Sequence, residues 1–185
     1  MGRTSQSHPL VIATLPVGHN GGAVGVTFAP GKFQQNAMTG SWARDLDEDL
    51  AAIRNWGASH LITLLEPWEF EELRVQELPK RAAQHGLEWH SLPITDGDAP
   101  DARFLEPWAR LGPTLCSLLL AGGRVVVHCK GGLGRAGTVA SLLLLDTDTF
   151  GDAESVIEAV RASRPGAVET QIQEAFIDNW ARRHS

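Results

Sequence analysis

The stretch VVVHCKGGLGRAGT (125–138) constrains the fold of this chain more than any other feature, because a valine run leads through a glycine-rich turn into a helical pattern. A short β-branched run indicates a buried strand. Gly132, Gly134 and Gly137 spell G-x-G-x-x-G, the pattern of a dinucleotide-binding turn. The same letters also place Cys129 six positions before Arg135. The turn therefore has two interpretations, as a pyrophosphate-binding turn or as a loop that attacks a phosphate ester.

Strand-like and helix-like segments alternate along the rest of the chain. Short apolar runs predict buried strands at VIAT (11–14), HLITLL (60–65), LEWHSLPI (87–94) and RVVVHC (124–129). This alternation predicts an α/β fold with a central, largely parallel sheet of about five strands and helices on both faces. We expect the whole chain, 1–185, to form one domain of this kind.

Several predicted helices have residues that are typical of helix ends or that interrupt a helix. DLDEDLAAIRNWG (45–57) has an acidic first turn and a terminal glycine, and its acidic run (45–49) is interpreted as a solvated helix start. Pro79 breaks or kinks the segment that ends at Gly86. Prolines also lie inside ARFLEPWARLGPTLCSLLLAGG (102–123), which therefore predicts one or two helices.

Composition excludes several classes of function. The formal net charge is −6 and no basic run is present, which disfavours binding to nucleic acid or to a membrane surface. Two cysteines thirteen positions apart predict neither a disulfide framework nor a zinc site, so we expect a reducing, cytoplasmic setting. Cys116 is expected in the core, with a regulatory disulfide to Cys129 as the alternative. His85 and His90 lack metal-ligand spacing, and Lys32 lacks the following Ser or Thr of a nucleotide-binding loop.

The residues after the glycines exclude the dinucleotide interpretation. That interpretation requires a second strand that ends in an acidic residue about 20 residues further on. Here the turn is followed only by helical patterns, and Asp152 and Glu154, near that distance, open a helix.

The ester-attack interpretation explains more of the residues. Small residues at Gly131, Gly132 and Gly134 let successive backbone N–H groups turn towards one anion, and the helix that follows adds its positive N-terminal end. Arg135 supplies a planar fork for two phosphate oxygens. Positive groups of this kind favour the thiolate form of a nearby cysteine, so Cys129 becomes a candidate nucleophile. His128 is interpreted as an orienting residue, because the thiol needs no separate base.

HCKGGLGRA (128–136) resembles the H-C-x-x-G-x-x-R signature of cysteine-dependent protein phosphatases. LPITDGDAPD (92–101) is similar to their general-acid loop, and RPGAVETQIQEAFI (164–177) to their water-positioning segment. Together with FAPGKF (28–33), these stretches resemble the kinase-associated group of dual-specificity phosphatases. The resemblance implies a protein tyrosine phosphatase-like fold, a phosphocysteine intermediate, no cofactor or metal, and a phosphorylated protein as substrate, with a protein kinase as a partner.

The resemblance also implies roles for single residues. It makes Cys129 the nucleophile and Gln173 the residue that positions water. Three aspartates follow one predicted strand: Asp96 comes first and matches the family's acid, Asp98 is the reserve candidate, and Asp101 is expected to cap the next helix. The residues expected to bind the phosphate group are Lys130, Gly131, Gly132, Leu133, Gly134 and Arg135.

One position departs from the family pattern. The family has Ser or Thr directly after the arginine, where its hydroxyl helps the thiolate leave, and this chain has Ala136, with Thr138 two places later. Two alternatives to a protein phosphatase stay open. Lys130 adds charge that suits a phosphoinositide headgroup, and Ala136 is compatible with a phosphate-binding pseudophosphatase that acts as an interaction module.

Overall fold

A computed structural model describes residues 2–38 and 40–183, which form a mixed five-stranded sheet covered by helices on both faces. The strand order is β1-β2-β7-β5-β6; β1 pairs antiparallel with β2, and the other neighbours are parallel. A separate hairpin pairs β3 with β4. The strands are β1 Ala13–Val17, β2 Gly22–Thr27, β3 Phe33–Ala37, β4 Gly40–Ala43, β5 His60–Thr63, β6 Glu88–Ser91 and β7 Arg124–His128.

The predicted sheet is confirmed, with one strand missed and one displaced. β1 starts at Ala13, two residues after the predicted start of VIAT. The missed strand, β2 (GAVGVT), is buried along its whole length and carries glycines that weaken a strand pattern. Close packing requires these glycines, since a Cβ at Gly22 would lie 2.0 Å from the Leu119 carbonyl oxygen and one at Gly25 would lie 2.6 Å from Ile12.

Seven helices in the described residues pack on the two faces of the sheet. They are α1 Leu46–Trp56, α2 Pro67–Glu72, α3 Leu78–Gln84, α4 Ala102–Leu120, α5 Gly134–Asp146, α6 Ala153–Ser163 and α7 Gln171–Arg183. The first three cover one face, and α4 to α7 cover the other. Within the described residues, no helix has the length and apolar character needed to cross a membrane.

The prolines act differently in the two segments that contain them. The segment that ends at Gly86 is divided into α2 and α3, and Pro79 lies in the first turn of α3, where a missing N–H costs little. In contrast, α4 continues through Pro107 and Pro113 as one helix. Each of these prolines removes one backbone hydrogen bond, and the buried apolar stripe of α4, which includes Phe104 and Trp108, offsets that loss.

The acidic run at the start of α1 is only partly a solvated helix start. Asp45 caps the helix and accepts from the Glu48 N–H at 2.8 Å. Asp49, by contrast, is buried and accepts two hydrogen bonds from Arg44, both at 2.8 Å, and one from the Gly31 N–H at 2.8 Å. The prediction is therefore wrong for Asp49, whose carboxylate anchors the segment that leads into β3.

Candidate active site

Cys129 directly follows the last residue of β7, at the carboxyl end of the parallel strands, and α5 begins five residues later at Gly134. This is the edge of an α/β sheet where ligands bind. The turn between them requires glycine at Gly132, which has φ +70 and where a Cβ would lie 2.5 Å from the Thr27 carbonyl oxygen. The loop therefore packs directly against the end of β2.

Residues from two other segments turn the loop carbonyls outward. The Lys130 carbonyl accepts from the Ala29 N–H at 3.2 Å and from Lys32 Nζ at 3.3 Å. Arg164 donates to the carbonyls of Gly131 at 2.9 Å and Gly132 at 3.1 Å. A trans peptide points each carbonyl away from the following N–H. The N–H groups of residues 131–133 are therefore directed towards the opposite, inner side of the loop.

Arg135 is 1% exposed and is held by a carboxylate that the sequence analysis missed. Its Nη atoms donate to the two oxygens of buried Glu69 at 2.7 and 2.8 Å, and Nη1 also donates to the Ile94 carbonyl at 3.0 Å. Burial acts to lower the pKa of Arg135, but Glu69 and the negative charge at Cys129 outweigh burial, so the pKa is raised. Within residues 2–38 and 40–183, the buried Nε of Arg135 has no hydrogen-bond partner.

Lys32 is a second site residue that the sequence analysis did not assign to phosphate binding. Its side chain is buried, and its ammonium group lies 4.6 Å from the ring centres of Phe28 and Trp42. Burial lowers the pKa of Lys32 to about 8, although the charge of Cys129 acts in the opposite direction. Near neutral pH, Lys32 is thus a cation beside the loop. Lys130 also lies in the loop, but it pairs with Glu72 at 3.5 Å.

His128 is fully buried and holds the backbone of Cys129. Its Nδ1 lies 3.1 Å from the Cys129 carbonyl and its Nε2 lies 2.7 Å from Thr63 Oγ1, which in turn accepts from Trp89 Nε1 at 2.8 Å. Burial is the main reason that the pKa of His128 falls to about 4. The ring is therefore neutral near pH 7, with Nδ1 as the donor to the carbonyl.

The three aspartates of the 92–101 loop occupy different environments. Asp96 reaches towards the loop, with Oδ1 3.6 Å from Arg135 Nε and its side chain 62% exposed. The Asp98 carboxylate instead accepts from the neighbouring Ala99 N–H at 2.8 Å. Asp101 caps α4, as expected, by accepting from the Arg103 N–H at 3.0 Å. Among the three, Asp96 is the one that the structure pairs with the expected phosphate-binding loop (129–135), through Arg135.

Gln173 is fully buried. Its Oε1 accepts from the Glu169 N–H at 2.9 Å, and its Nε2 lies 3.3 Å from the Asp98 carbonyl. The neighbouring Glu169 accepts from the Gly134 N–H at 2.8 Å. Gln173 therefore lies where the 92–101 loop, the start of α7 and the end of the phosphate-binding loop meet.

The hydroxyl of Thr138 does not replace the one missing at Ala136. Thr138 Oγ1 donates to the Gly134 carbonyl at 2.7 Å, within the first turn of α5. Cys116 packs against the core as expected, and burial, aided by Asp146, raises its pKa to about 11. Both cysteines are free thiols.

Glu69 has one local signal in the sequence, the spacing of two glutamates around Pro67. Glu66 and Glu69 form a reciprocal capping box at the start of α2, and the Glu66 N–H donates to Glu69 Oε2 at 2.7 Å. Such a box fixes the helix start beside the end of β5. No local pattern, however, indicates that this carboxylate faces Arg135, since the two residues are 66 positions apart.

A parallel-sheet fold with a cysteine below a turn of inward-facing amides and a clamped arginine defines the class of cysteine-dependent phosphatases. A family profile described as "PTP-SAK: Swiss Army Knife protein, DSP-PTPase phosphatase domain" matches residues 34–177. The chain belongs to this family of dual-specificity and tyrosine phosphatase domains.

Individual relatives agree with this assignment. The chain is 29% identical to mouse cyclin-dependent kinase inhibitor 3 over 139 residues, which is 74% of this chain and 64% of that protein. It is 33% identical to the Leishmania major protein tyrosine phosphatase PRL-1 over 104 residues, or 54% of this chain and 58% of that one. A crystal structure of kinase-associated phosphatase with its catalytic cysteine replaced by serine superimposes with a TM-score of 0.80 and 25% identity, covering 95% and 96% of the two chains. The alignments thus span less than two thirds of these curated relatives.

Proposed function

We propose that this protein hydrolyses phosphomonoesters on proteins through a phosphocysteine intermediate at Cys129, without a metal ion. The observation that carries the proposal is the loop above Cys129, where residues 131–133 turn their N–H groups inward and Glu69 fixes the guanidinium of Arg135. Such donors are oriented before the substrate arrives, so they stabilise the charge of the transition state without reorganisation.

In the first step, the Cys129 thiolate attacks phosphorus in line with the ester oxygen. An S–P bond forms as the P–O bond breaks, while Arg135 and the loop amides hold the three other oxygens. The electron pair of the broken bond stays on the leaving oxygen, which takes a proton from Asp96. That carboxyl lies beside Arg135 Nε, at 3.6 Å, on the exposed side of the site.

In the second step, a water molecule attacks the phosphocysteine. Asp96, now a carboxylate, takes a proton from the water, and Gln173 is proposed to orient it from its buried place against the 92–101 loop. The S–P bond breaks and returns the thiolate, with inorganic phosphate as the product. Because Ala136 supplies no hydroxyl to the departing sulfur, we propose that this second step is the slower one.

Protein substrates are favoured over phosphoinositides and over a non-catalytic binding role. The ion pair of Lys130 with Glu72 partly neutralises the charge that would attract a polyphosphorylated headgroup. A pseudophosphatase would not need Cys129, Arg135 and Asp96 together in one site. The similarity to cyclin-dependent kinase inhibitor 3 supports a phosphorylated kinase as partner or substrate, and the free thiols suit a cytoplasmic setting.

The test compares hydrolysis of an aryl phosphate, phosphotyrosine and phosphothreonine peptides and a phosphoinositide, each with a metal chelator present. We expect activity on the aryl phosphate and the peptides, and its loss in Cys129→Ser, while that variant still binds tungstate. Cys116→Ser is the matched control and keeps full activity. Undiminished activity in Cys129→Ser, or activity abolished by the chelator, would contradict the mechanism.

A further inference from the structure

Three metal-ligand side chains meet at the edge of the sheet, away from Cys129. β5 and β6 are parallel, and their register places His60 directly opposite Glu88. Glu88 and His90 are two residues apart on β6, so their side chains leave the same face of the strand. His60 is 30 residues from His90 in the sequence, which is why metal-ligand spacing was not apparent from the sequence alone.

Two of the three separations between the ligand atoms are close to those around a tetrahedral metal. His60 Nδ1 lies 3.0 Å from His90 Nε2 and 3.5 Å from Glu88 Oε2. All three ligand atoms lie within 4.8 Å of one another. Zinc–nitrogen bonds of about 2.05 Å at tetrahedral angles place neighbouring ligand atoms roughly 3.3 Å apart. Small side-chain movements are therefore enough to bring the three atoms around one ion.

We propose that His60, Glu88 and His90 form a binding site for Zn²⁺. Two neutral imidazoles and one carboxylate are ligands that zinc favours, whereas Mg²⁺ and Ca²⁺ prefer oxygen ligands alone. His90 also lines a cleft of about 470 Å³ between β6 and α4, together with Arg110 and Thr114. We expect water or a small anion from this cleft to fill the fourth coordination position.

The proposed zinc site is separate from the candidate active site. His60 pairs with Val125 near the start of β7, whereas Cys129 follows the end of that strand. His60 and Glu88 lie level with Val125, which is four residues of extended chain, or roughly 13 Å at about 3.3 Å per residue, before Cys129. His90 lies level with Val127, but on β6, which is two strands away from β7 in the sheet. Zinc at this site is thus no part of the phosphoryl-transfer chemistry proposed above.

The test is a titration of the untagged full chain with Co²⁺ and Zn²⁺, in the native protein and in Cys129→Ser. We expect one equivalent of Co²⁺ to give the visible absorption of a four-coordinate ion in both proteins, without a thiolate charge-transfer band. Competition against a chromophoric chelator measures Zn²⁺ affinity, which we expect to fall by at least about tenfold in Glu88→Gln and in His90→Gln. Both substitutions lie on exposed or half-buried positions and leave the core intact.

His85→Gln is the matched control, because His85 also contacts a carboxylate, that of Asp47 at 3.0 Å, but lies outside the three-residue cluster. Its zinc affinity is expected to equal that of the native chain. The proposal is overturned if Zn²⁺ binding is lost in Cys129→Ser but kept in Glu88→Gln and His90→Gln, since the ion then occupies the active-site thiol. It is equally overturned if the native chain binds no Zn²⁺ at micromolar concentration. Neither outcome depends on phosphatase activity.

Discussion

The phosphate-binding loop (129–135) and the Asp96 loop (92–101) meet at one site but are built differently. The first is held along its length: Gly132 packs on β2, Arg164 binds two of its carbonyls, and Glu69 clamps Arg135. The second is tied through its neighbours, by Thr95 to Glu66 and by the carbonyls of Gly97 and Asp98 to the segment that starts α7, at Thr170 and Gln173. The Asp96 side chain itself stays exposed. The loop that we propose to bind the phosphate group is therefore held in place before substrate binds, and the loop that carries the proposed acid is open to solvent.

This difference separates two kinds of functional loss. A change in the rigid loop removes phosphate binding and transition-state stabilisation together, because the donors act as one fixed set. In the proposed mechanism, a change at Asp96 should remove only the proton donor, whose importance depends on how basic the leaving oxygen is. Substitutions across the site should therefore give a graded series of losses, with the largest in the rigid loop.

The largest effect is expected when Arg135 is replaced. Arg135→Lys should lower kcat by about 10³–10⁵-fold, the usual scale for an arginine that stabilises a transferring phosphoryl group. An ammonium group cannot provide the two parallel donors that the guanidinium has. Steady-state kinetics on an aryl phosphate measures this change, and a near-normal rate would refute the role given to Arg135.

Changing Glu69 tests whether its ion pair with Arg135 also stabilises the fold. Glu69→Gln leaves the Arg135 charge buried without its carboxylate, and we expect a loss of about 3 kcal/mol in the free energy of unfolding along with lower activity. Exposed Glu71→Gln, in the same helix, is the control. Denaturant unfolding of the three proteins checks the prediction, and equal stability would show that the pair contributes little.

Asp96→Asn should have a smaller and substrate-dependent effect. We expect a loss of about 10²-fold or more with an alkyl or unactivated phenyl phosphate, and little loss in the first step with an activated aryl phosphate. Asp98→Asn is the matched control and should behave like the native protein. If Asp98→Asn shows the leaving-group dependence and Asp96→Asn does not, the acid has been misassigned by two residues.

The pH dependence of anion binding should report on Lys32. With its pKa lowered to about 8, Lys32 is charged below that pH and neutral above it, so tungstate affinity should fall several-fold as pH rises through about 8. Lys32→Arg keeps its charge and should flatten this fall. The free energy of unfolding should change in the opposite direction, because burial disfavours the charged form of Lys32. Lys32→Met should therefore be more stable than the native chain below pH 8, and this difference in stability should fade as the pH rises towards 10.5. Identical pH profiles of tungstate affinity in the native and Lys32→Arg proteins would exclude a contribution of the Lys32 charge to anion binding.

The smallest effect is expected at Ala136. If its missing hydroxyl slows the departure of the thiolate, rapid mixing with an activated aryl phosphate should show a burst of phenol and a slower steady rate. Ala136→Ser should raise the steady rate a few-fold without changing the burst rate, and Thr138→Ala should leave both unchanged, because Thr138 bonds within its own helix. The absence of a burst, with no gain in steady rate in Ala136→Ser, would mean that the missing hydroxyl at position 136 does not slow the second step.

The sequence allowed the rigid loop to be predicted better than its surroundings. Cys129, Arg135 and the glycines lie in one local strand–turn–helix pattern, whose order fixes their place at the sheet edge. Glu69 and Lys32 reach the loop from other segments, and their partners are 66 and 98 positions away, respectively. No spacing within a single element encodes such contacts.

The fold shows the same limit. Apolar β-branched runs predicted the central parallel strands, whereas β2 was missed because its glycines serve packing against Leu119 and Ile12 and weaken its own pattern. Asp49 was interpreted as solvated because it lies in an acidic run, yet Arg44 and Gly31 pair with it in the core. Periodicity predicts elements, and buried polar pairs between elements appear only in three dimensions.

The most direct test of the phosphocysteine mechanism is to trap the covalent intermediate. The full chain is mixed with an activated aryl phosphate, quenched in denaturant during the burst, digested and analysed by mass spectrometry. We predict one phosphoryl group on the peptide that contains Cys129, present in the native protein and absent in Cys129→Ser. Turnover with no phosphorylated peptide, or with the phosphoryl group on another residue, would contradict the mechanism.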